Sequence, residues 1–576
     1  MADYERLLRV ARGSEPADLV VRGADLVNVV TREVYPATVG ICEDTIAYVT
    51  EPGDIHCSAR QVIEAAGMWL APGLIDSHMH IESTHATPEH FADAVVPRGV
   101  TTVAQDPHEM ANVLGCEGVE YMRCAARGLP LRVLTFVPTC VPAVPGLETS
   151  GAAFTAREVE ALLDGPDTIG LAEIMDYWGV IRQAPRISEI VRAGRRRGAI
   201  LTGHIRGLGG RELNTYLAAG IDSDHERLTP DSILARTRLG MTVEITRDNV
   251  AEAVESWHQR GILDNLVWVT DDVPPHELVR EGHLDVAVRR AIALGMAPAD
   301  ALRAATLAPA IRLRRPDLGQ IAPGRRADLL VIGDLASFSV HLTIVSGRIV
   351  ACDGQVLQPS QPGCRPPAAA LHSMHRMPPS PDQMAVRGPG RTALARVLTG
   401  RGRGLELREL PLASGAVAWE DRPDLALATV WHRHGLNQNH SAVLIAGSGL
   451  RVGALATTYA HDSHNLVIVG RDSADMALAA RALIDSGGGY AAVAEGQLRA
   501  LVPLPVAGLL AEAPVTELAR GFDAFVEAAH ALGVTENPIR LLTSLALPVV
   551  PSYRPTDLGL VDVERQTIIP AFEFDG

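Results

Sequence analysis

Short apolar segments alternate with longer amphipathic stretches through the middle of the chain. The apolar segments have the length and the Val, Ile and Leu content of buried strands, and the stretches between them have helical spacing. One predicted strand ends at Asp76, and seven more cover residues 101–104, 132–137, 168–174, 199–202, 221–223, 242–245 and 266–269. Eight strands that alternate with helices over roughly 250 residues predict an α/β fold of the (β/α)8 barrel type.

Two groups of short β-branched segments flank the predicted barrel. The first group covers residues 19–21, 26–30 and 45–49, with breaks expected at Gly23, Pro36 and Gly40. The second covers residues 327–332 and 344–350, with Gly333, Asp334 and Gly347 between them. Such punctuated segments are typical of β-strands. We expect both groups to form one sheet unit, into which the barrel is inserted.

The chain beyond the second group has a different composition. Residues 355–391 hold eight prolines and little periodicity, which is typical of a linker or a surface strap. Strands at 442–445 and 466–469 and helices at 474–484 and 514–531 then predict a second α/β (α+β) unit. The predicted regions are 1–70 and 316–358 for the sheet unit, 71–315 for the barrel, 359–391 for the Pro-rich linker and 392–576 for the C-terminal domain.

The composition of the chain says more about its function than about its fold. The chain of 576 residues is 47% hydrophobic and 21% charged, as expected for a globular protein. Its net charge of −16 argues against a general binder of nucleic acid or anionic membranes, since phosphates repel a net anion. The sequence contains no lysine. Schiff-base enzymes, pyridoxal-phosphate enzymes and Walker-type phosphate loops all need a lysine amine and are therefore excluded.

The cysteines and the N-terminus indicate a soluble, cytoplasmic protein. An odd number of cysteines is scattered along the chain without a Cys-x-x-Cys pair, which favours a reducing compartment. The seven are Cys42, Cys57, Cys116, Cys124, Cys140, Cys352 and Cys364. The first twelve residues are charged and lack the apolar run of a secretion signal, and no run of ~18 apolar residues occurs.

Polar residues with metal-binding side chains follow several predicted strands. His78 and His80 are two residues apart at the end of the first strand, so both rings face the same side. Other candidates also lie at strand ends, where barrels of this type carry their active sites; they are Glu173, His204, His225 and Asp271. Four imidazoles and two carboxylates, without a thiolate, suit a pair of divalent ions such as Mn, Fe or Zn.

Each of these residues also has an ordinary structural explanation. His204 is compatible with a buried core histidine, Glu173 with an acid at a helix N-terminus, and Asp271 or Asp272 with a helix N-cap. Asp106 and His108, which follow the second strand, either orient ligands or hold an extra ion, or form an Asp-Pro turn with a surface histidine. Their common placement at strand ends favours the metal site over the separate explanations.

Several motifs together resemble the amidohydrolase superfamily and, within it, the bacterial adenine deaminase family. The superfamily motifs are PGLIDSHMH at 72–80 and PGRRADL at 323–329. Barrel stretches similar to the narrower family are HIES at 80–83, DPHEMANVLG at 106–115, GLAE at 170–173, SDHE at 223–226 and TDD at 270–272. C-terminal ones are RHG at 433–435, AHDSHN at 460–465, PLPVAGL at 503–509 and LALPVVP at 545–551. The resemblance covers nearly the whole chain.

The resemblance implies a metal-dependent hydrolase barrel inserted in a composite β-sandwich, with a C-terminal adenine-deaminase-type domain. Implied cofactors are two divalent metal ions, Mn or Fe first and Zn as the third candidate. The implied metal ligands are His78, His80, Glu173, His204, His225 and Asp271. Glu173 takes the bridging position that many relatives fill with a carboxylated lysine.

The implied reaction is the hydrolytic deamination of adenine to hypoxanthine and ammonia, a step of purine salvage. Asp271 would accept a proton from the attacking water and return it to the departing amine. A second acid would protonate ring N1, and we rank Glu109 before Glu226 for this role. The expected partners are a small-molecule purine and further copies of the chain in a homo-oligomer.

Some positions depart from the family pattern and keep further functions open. Thr84, His85, Ile205 and Arg206 differ from the family beside the predicted pocket. The fixed charge of Arg206 would suit a modified purine with an extra oxygen, or it would pair with Glu226. A cyclic-amide hydrolase and a non-catalytic purine-binding paralogue also remain open. The segment 461–465 either closes over the barrel mouth or links the domains by hydrogen bonds.

Overall fold

Eight parallel strands form a barrel at the centre of the molecule. The computed structural model describes residues 2–51, 53, 58–261 and 264–575, without the side chain of Arg401; Cys57 therefore lies outside the described residues. The barrel strands are Leu74–Met79, Val100–Gln105, Arg132–Val137, Thr168–Ile174, Ile200–Gly203, Ser223–Asp224, Thr242–Ile245 and Leu266–Trp268. We call them the first to eighth barrel strands.

Backbone hydrogen bonds close the barrel at its two seams. One sheet joins the first five strands and a second joins the last three. Between them, the amide of Asp222 donates to the carbonyl of Leu201 over 3.3 Å. At the other seam, the amide of Asp271 donates to the carbonyl of His78 over 3.2 Å, and the amide of His80 donates to the carbonyl of Asp271 over 3.3 Å. The predicted α/β barrel is confirmed.

Helices connect successive barrel strands and cover the outside of the barrel. Several begin at the side-chain caps that the sequence provides, for example the capping box of Thr155 and Glu158. The α-helices of this region are Pro88–Val95, His108–Leu114, Cys116–Ala125, Ala156–Leu163, Tyr177–Arg182, Pro185–Arg196, Gly210–Ala218, Pro230–Arg238, Val250–Arg260, Pro275–Arg280, Asp285–Ala293, Pro298–Ala305 and Leu307–Arg312. A short 3-10 helix, Ile81–Thr84, follows the first strand directly.

The segments on both sides of the barrel form one nine-stranded sheet, as the sequence predicts. The strand Leu329–Asp334 runs antiparallel to Trp69–Pro72, with Leu329 opposite Pro72 and Ile332 opposite Trp69. The other strands are Ala17–Asn28, Glu33–Cys42, Thr45–Thr50, Ala59–Glu64, Ser339–Val345, Arg348–Cys352 and Gln355–Val356. A helix at Tyr4–Ala11 precedes the sheet.

The strand breaks expected at Gly23, Pro36 and Gly40 are wrong. Gly23 has a φ of 81° and lies at a register shift inside the strand Ala17–Asn28, so it bends the strand without ending it. Pro36 and Gly40 lie inside Glu33–Cys42. A Cβ atom at Gly40 would overlap the ring of Tyr48, so this glycine makes room for an aromatic ring.

The C-terminal unit contains a ten-stranded sheet, a separate three-stranded sheet and three helices. The ten strands are Thr392–Thr399, Gly404–Ala413, Ala416–Val417, Leu425–Trp431, His440–Ala446, Ala454–Thr457, Leu466–Gly470, Gly489–Ala494, Gln497–Pro503 and Phe572–Phe574. The three-stranded sheet comprises Tyr553–Thr556, Gly559–Asp562 and Thr567–Ile569, and the helices are Ser473–Asp485, Val515–Ala531 and Pro538–Thr543.

The Pro-rich linker, residues 359–391, precedes the C-terminal unit. It contains only a short helix, Ala368–Leu371, and a 3-10 turn, Pro381–Met384. Among the described residues, no helix is both long and apolar enough to cross a bilayer.

The C-terminal unit packs directly on the barrel through a continuous apolar core. Phe522, on the helix Val515–Ala531, stacks on the ring of His85 at 4.9 Å between centroids and contacts the ring of Tyr490 edge to face. Phe522 has no exposed surface. Its ring therefore fills the contact between the barrel and the C-terminal unit.

We expect Phe522→Ala to destabilise the junction between the two units. Removing a fully buried aromatic ring leaves a cavity and costs about 3–5 kcal/mol. The matched control is Phe572→Ala, because Phe572 is only partly buried at the edge of the C-terminal sheet. Denaturant unfolding should show a clearly larger loss of stability for Phe522→Ala. Equal losses for the two variants would contradict this role of Phe522.

Candidate metal centre

The structure brings all six residues predicted as metal ligands to one end of the barrel. His78 and His80 lie at the end of the first strand and Glu173 within the fourth. His204 and His225 directly follow the fifth and sixth strands, and Asp271 follows the eighth. This end carries the carboxyl termini of the parallel strands, where barrel enzymes have their active sites.

The six side chains form two groups that share Glu173. In the first group, Oδ1 of Asp271 lies 3.4 Å from Nε2 of His78 and 3.2 Å from Nε2 of His80. Oε1 of Glu173 lies 3.7 Å from the same His80 nitrogen. In the second group, Oε2 of Glu173 lies 2.6 Å from Nδ1 of His204 and 3.1 Å from Nε2 of His225. The two oxygens of Glu173 thus face different histidine groups, as a bridging carboxylate would.

The local backbone explains why these side chains converge. Residues 78 and 80 are two apart in an extended chain, so both rings point to the same face. The carboxylate of buried Asp76 accepts hydrogen bonds from Thr270 Oγ1 over 2.6 Å and from the His78 amide over 3.3 Å, which ties the first strand to the eighth. Asp271 has a φ of 58°, a left-handed conformation that is uncommon for a residue with a side chain and often occurs at functional sites.

Two further contacts orient the histidine rings. Nε2 of His204 lies 2.7 Å from Oε1 of Glu226, and Nε of Arg206 donates to the same oxygen over 2.7 Å. Nδ1 of His80 lies 2.9 Å from the carbonyl oxygen of Asp106. Such partners fix the tautomer of a ligating histidine and direct its other nitrogen to the metal. Glu226 and Arg206 therefore act together behind His204, and the salt-bridge alternative for Arg206 is the one observed.

The electrostatics of the cluster fit divalent cations. Burial opposes ionisation of Glu173, but the charges of the nearby histidines hold its pKa well below the usual range. Burial also opposes charge on His225, but its contacts with Glu173 and Asp271 raise its pKa to about 9. Both ring nitrogens of His78 and Nδ1 of His225 are buried without a hydrogen-bond partner. Orphaned nitrogens among ionised carboxylates are the donor set that a cation completes.

Asp106 and His108 are buried beside this cluster, so the surface-turn alternative is wrong. Asp106 is fully buried and His108 is 3% exposed. Nδ1 of His108 lies 3.2 Å from Oδ2 of Asp106 and 3.5 Å from Oε1 of Glu173. The ring of His108 therefore lies directly next to the bridging carboxylate.

Glu109, the predicted second acid, is held by three side chains of the C-terminal unit. Nδ1 of His461 lies 2.6 Å from Oε1 of Glu109, His464 Nε2 makes a very short contact with Oε2, and the hydroxyl of Tyr459 donates to Oε1 over 3.3 Å. Burial opposes ionisation of Glu109, yet His464 and His461 hold its pKa well below the usual range. The segment 461–465 thus reaches Glu109 of the barrel and links the two units by hydrogen bonds, which is the second of the two sequence-based alternatives.

A buried arginine supports this segment from behind. Arg433 has no exposed surface; its Nε donates to the carbonyl of His464 over 2.6 Å and its Nη2 to the carbonyl of Ala507 over 2.8 Å. Burial lowers the pKa of Arg433 to about 9. The RHG motif therefore positions the loop that contacts Glu109.

Thr84 and His85 are buried in and directly after the 3-10 turn that follows the first barrel strand. The Thr84 hydroxyl donates to the carbonyl of Ile81 over 2.7 Å, within its own 3-10 turn. His85 is buried against the C-terminal unit, where its Nδ1 lies 2.9 Å from the carbonyl of Leu509. Neither of these hydrogen bonds involves the metal cluster. At His85, the departure from the family pattern therefore affects the contact between the barrel and the C-terminal unit.

Replacing Glu173 tests the bridge directly. Glu173→Gln removes one ligand oxygen and the negative charge between the two histidine groups, so we expect a lower content of bound divalent metal per chain. The matched control is Glu212→Gln, because Glu212 is exposed on an outer helix. Elemental analysis after metal loading measures the content. Unchanged metal content in Glu173→Gln would refute the ligand role.

Comparison with known proteins agrees with this geometry. The amidohydrolase family model matches residues 69–350, and the adenine deaminase C-terminal domain model matches residues 404–567. Adenine deaminase 2 of Rhizobium meliloti (strain 1021) is 42% identical over 97% of this chain and 95% of its own length. The adenine deaminase of Klebsiella pneumoniae (strain 342) is 41% identical over 98% and 95%, and that of Moorella thermoacetica 39% identical over 96% of both chains. The chain therefore belongs to the adenine deaminase family, with the barrel of an amidohydrolase.

Proposed function

We propose that the protein hydrolyses adenine to hypoxanthine and ammonia with the help of two divalent metal ions. The observation that carries the proposal is the placement of the two Glu173 oxygens, at 3.7 Å from His80 and 2.6 Å from His204. With this arrangement, the Glu173 carboxylate would bind one ion through each of its oxygens. The names of the full-length relatives, which are adenine deaminases, supply the substrate.

The six residues divide into two ligand sets. His78, His80 and Asp271 would hold one ion, and His204 and His225 the other, with Glu173 shared. The pair of ions, when bound, supplies the charge that lowers the pKa of a water molecule toward neutrality. Nitrogen and oxygen ligands of this kind accept Mn or Fe, and also Zn. We propose Mn or Fe as the working metals.

Asp271 is placed to move the proton of the attacking water. Its carboxylate is the part of the cluster that faces solvent, with 30% of the side chain exposed while those of His78 and Glu173 are buried. Burial opposes ionisation, yet the imidazoles of His78 and His80, 3.4 and 3.2 Å from its Oδ1, hold the pKa of Asp271 well below the usual range. An ionised carboxylate at this position accepts a proton from water and returns it to the amine that leaves from C6.

The proton for ring N1 comes from the pair of Glu109 and His461. Burial opposes charge on His461, but Glu109 and Asp272 raise its pKa to about 10. The proton that the pair shares at neutral pH therefore lies on His461, next to an ionised Glu109. We propose that His461 passes this proton to Glu109 across their 2.6 Å contact as Glu109 delivers one to ring N1, so that Glu109 acts as the second acid through this pair. Glu226 is committed to His204 and Arg206.

Arg206 has a partner within the protein, so its charge does not require a modified purine as substrate. Its Nε donates to Glu226, which orients His204. This contact removes the main reason to favour a hydroxylated or N6-alkylated adenine over adenine. The homo-oligomeric state of the enzyme stays a prediction, which sedimentation velocity would test. Its cytoplasmic location also stays a prediction, which cell fractionation would test.

We expect Asp271→Asn to keep the fold and lower kcat by about 10²–10⁴-fold, the usual contribution of general acid-base catalysis. The comparison variant is Asp272→Asn, because Asp272 is the next residue, is 42% exposed and is not among the six ligands. Asp272 lies 3.7 Å from His461, so a smaller loss of kcat is expected there. Circular dichroism and metal content should accompany the rates for both variants. A near-normal kcat for Asp271→Asn, or a larger loss for Asp272→Asn, would contradict the assignment.

Substrate choice is tested by ammonia release from four purines. Protein loaded with Mn(II) should release ammonia from adenine with kcat/KM above ~10⁴ M⁻¹s⁻¹, the low end for natural enzyme-substrate pairs. N6-Methyladenine, isoguanine and guanine serve as comparisons. Preference for one of these would move the proposal to a modified purine, and ring opening of a cyclic amide without ammonia would move it to another hydrolase class. Metal binding without turnover of any of them would refute adenine deamination.

A further inference from the structure

A second group of potential ligands lies on the side of His108 that faces away from Glu173. His108 begins the helix after the second barrel strand, Cys140 lies in the loop after the third strand, and Asp462 belongs to the C-terminal unit. One ligand atom from each of these three side chains lies within 4.8 Å of the others. All three residues are buried, with 3%, 3% and 2% of their surface exposed.

Three polar atoms of this group lack a hydrogen-bond partner among the described residues. They are both ring nitrogens of His108 and Oδ2 of Asp462, and all three are buried. Burying such groups unpaired costs several kcal/mol, and most buried polar groups in proteins are therefore satisfied. The three side chains come from separate parts of the chain. The two His108 nitrogens have only ion-pair contacts with nearby carboxylates, and an ion bound between the three side chains would give these atoms and Oδ2 of Asp462 a partner.

The spacing suits a small divalent cation. Oδ1 of Asp462 lies 3.6 Å from Nε2 of His108, and Oε2 of Glu109 lies 3.5 Å from the same nitrogen. For metal-ligand bonds of about 2.0–2.3 Å in a tetrahedral site, neighbouring ligand atoms are about 3.3–3.8 Å apart. Both observed separations fall within this range.

We propose that His108, Cys140 and Asp462 bind a third divalent cation, distinct from the pair held by the six barrel ligands. The ligands are Nε2 of His108, the thiolate of Cys140 and a carboxylate oxygen of Asp462, with Glu109 or water completing the coordination. None of the three belongs to the six-residue set. The site goes beyond the proposed deamination, which does not require it.

The thiolate sets the metal preference of this site. Soft sulfur ligands select Zn, Co or Fe, whereas the nitrogen and oxygen ligands of the pair also accept Mn. Coordination deprotonates a thiol, so the Cys140 proton leaves for solvent when the ion binds. Because Asp462 comes from the C-terminal unit and the other two from the barrel, the ion would also fasten the segment 461–465 to the barrel.

Cobalt(II) provides a direct readout, because a cobalt-thiolate bond gives a near-ultraviolet charge-transfer band that nitrogen and oxygen ligands do not. Full-length apoprotein is titrated with Co(II), and the band and the bound cobalt per chain are measured. We expect three bound ions and one thiolate band. With Mn(II) in excess and one equivalent of Zn(II), elemental analysis should find two Mn and one Zn.

Variants assign the band to this site. Cys140→Ser should abolish the thiolate band and reduce the bound cobalt from three ions to two. Cys116→Ser, a cysteine on the following barrel helix that is outside the group, should keep both. Asp462→Asn should keep the band but weaken cobalt binding at this site by at least about tenfold, since even outer contacts of metal ligands contribute that much.

The wild-type protein alone can overturn the proposal. Two bound ions without a thiolate band would show that the group is only a buried cluster of charged side chains, even if Cys140→Ser fails to fold. A band that survives in Cys140→Ser would place the thiolate elsewhere. Ammonia release from adenine is measured separately on the same samples, so loss of the third site and failure of the proposed function give different results.

Discussion

The structure depends on one electrostatic constraint, the burial of several carboxylates and imidazoles at one end of a closed barrel. Parallel strands bring their carboxyl ends to the same rim, so the polar residues that follow them share a small volume. An unpaired buried charge costs several kcal/mol. The fold meets this cost by pairing: Glu173 and Asp271 each face two or more histidines at 2.6–3.7 Å. Divalent cations would complete the pairing, because His78 has two buried ring nitrogens without a hydrogen-bond partner among the described residues.

The same constraint explains why the C-terminal unit is part of the site. Glu109 is fully buried, and the barrel supplies only His108 Nε2, 3.5 Å away, near its carboxylate. His461, His464 and Tyr459 provide the closer contacts. Without the C-terminal unit, this carboxylate would lose these partners and would either protonate or become hydrated. The contact around His85 and Phe522 holds the two units in the position that the Glu109 contacts require.

The sequence predicts the barrel and the ligand set because both follow short-range rules. Apolar segments of strand length mark the barrel strands, and the position of a residue after such a strand predicts the rim where it lies. The contacts with Glu109 escape these rules, since His464 is 355 residues away in the chain. The grouping of Cys140 with Asp462 is missed for the same reason, because a single cysteine in a loop carries no local signal. The break expected at Gly40 is wrong because the role of this glycine depends on the ring of Tyr48 across the sheet.

A glutamate bridge at position 173 would also affect how the site assembles. The resemblance to amidohydrolases implies a position that is often a carboxylated lysine, and that group forms only by reaction with carbon dioxide. In this lysine-free chain, Glu173 would bring its carboxylate from synthesis. Its backbone is fixed by a hydrogen bond of 2.7 Å from Thr139 Oγ1 to the Glu173 carbonyl. Because the glutamate side chain is short, the histidines must approach it, and His204 and His225 do so to within 3.1 Å. A centre bridged by Glu173 would therefore assemble without carbon dioxide, from side chains that already lie within contact distance.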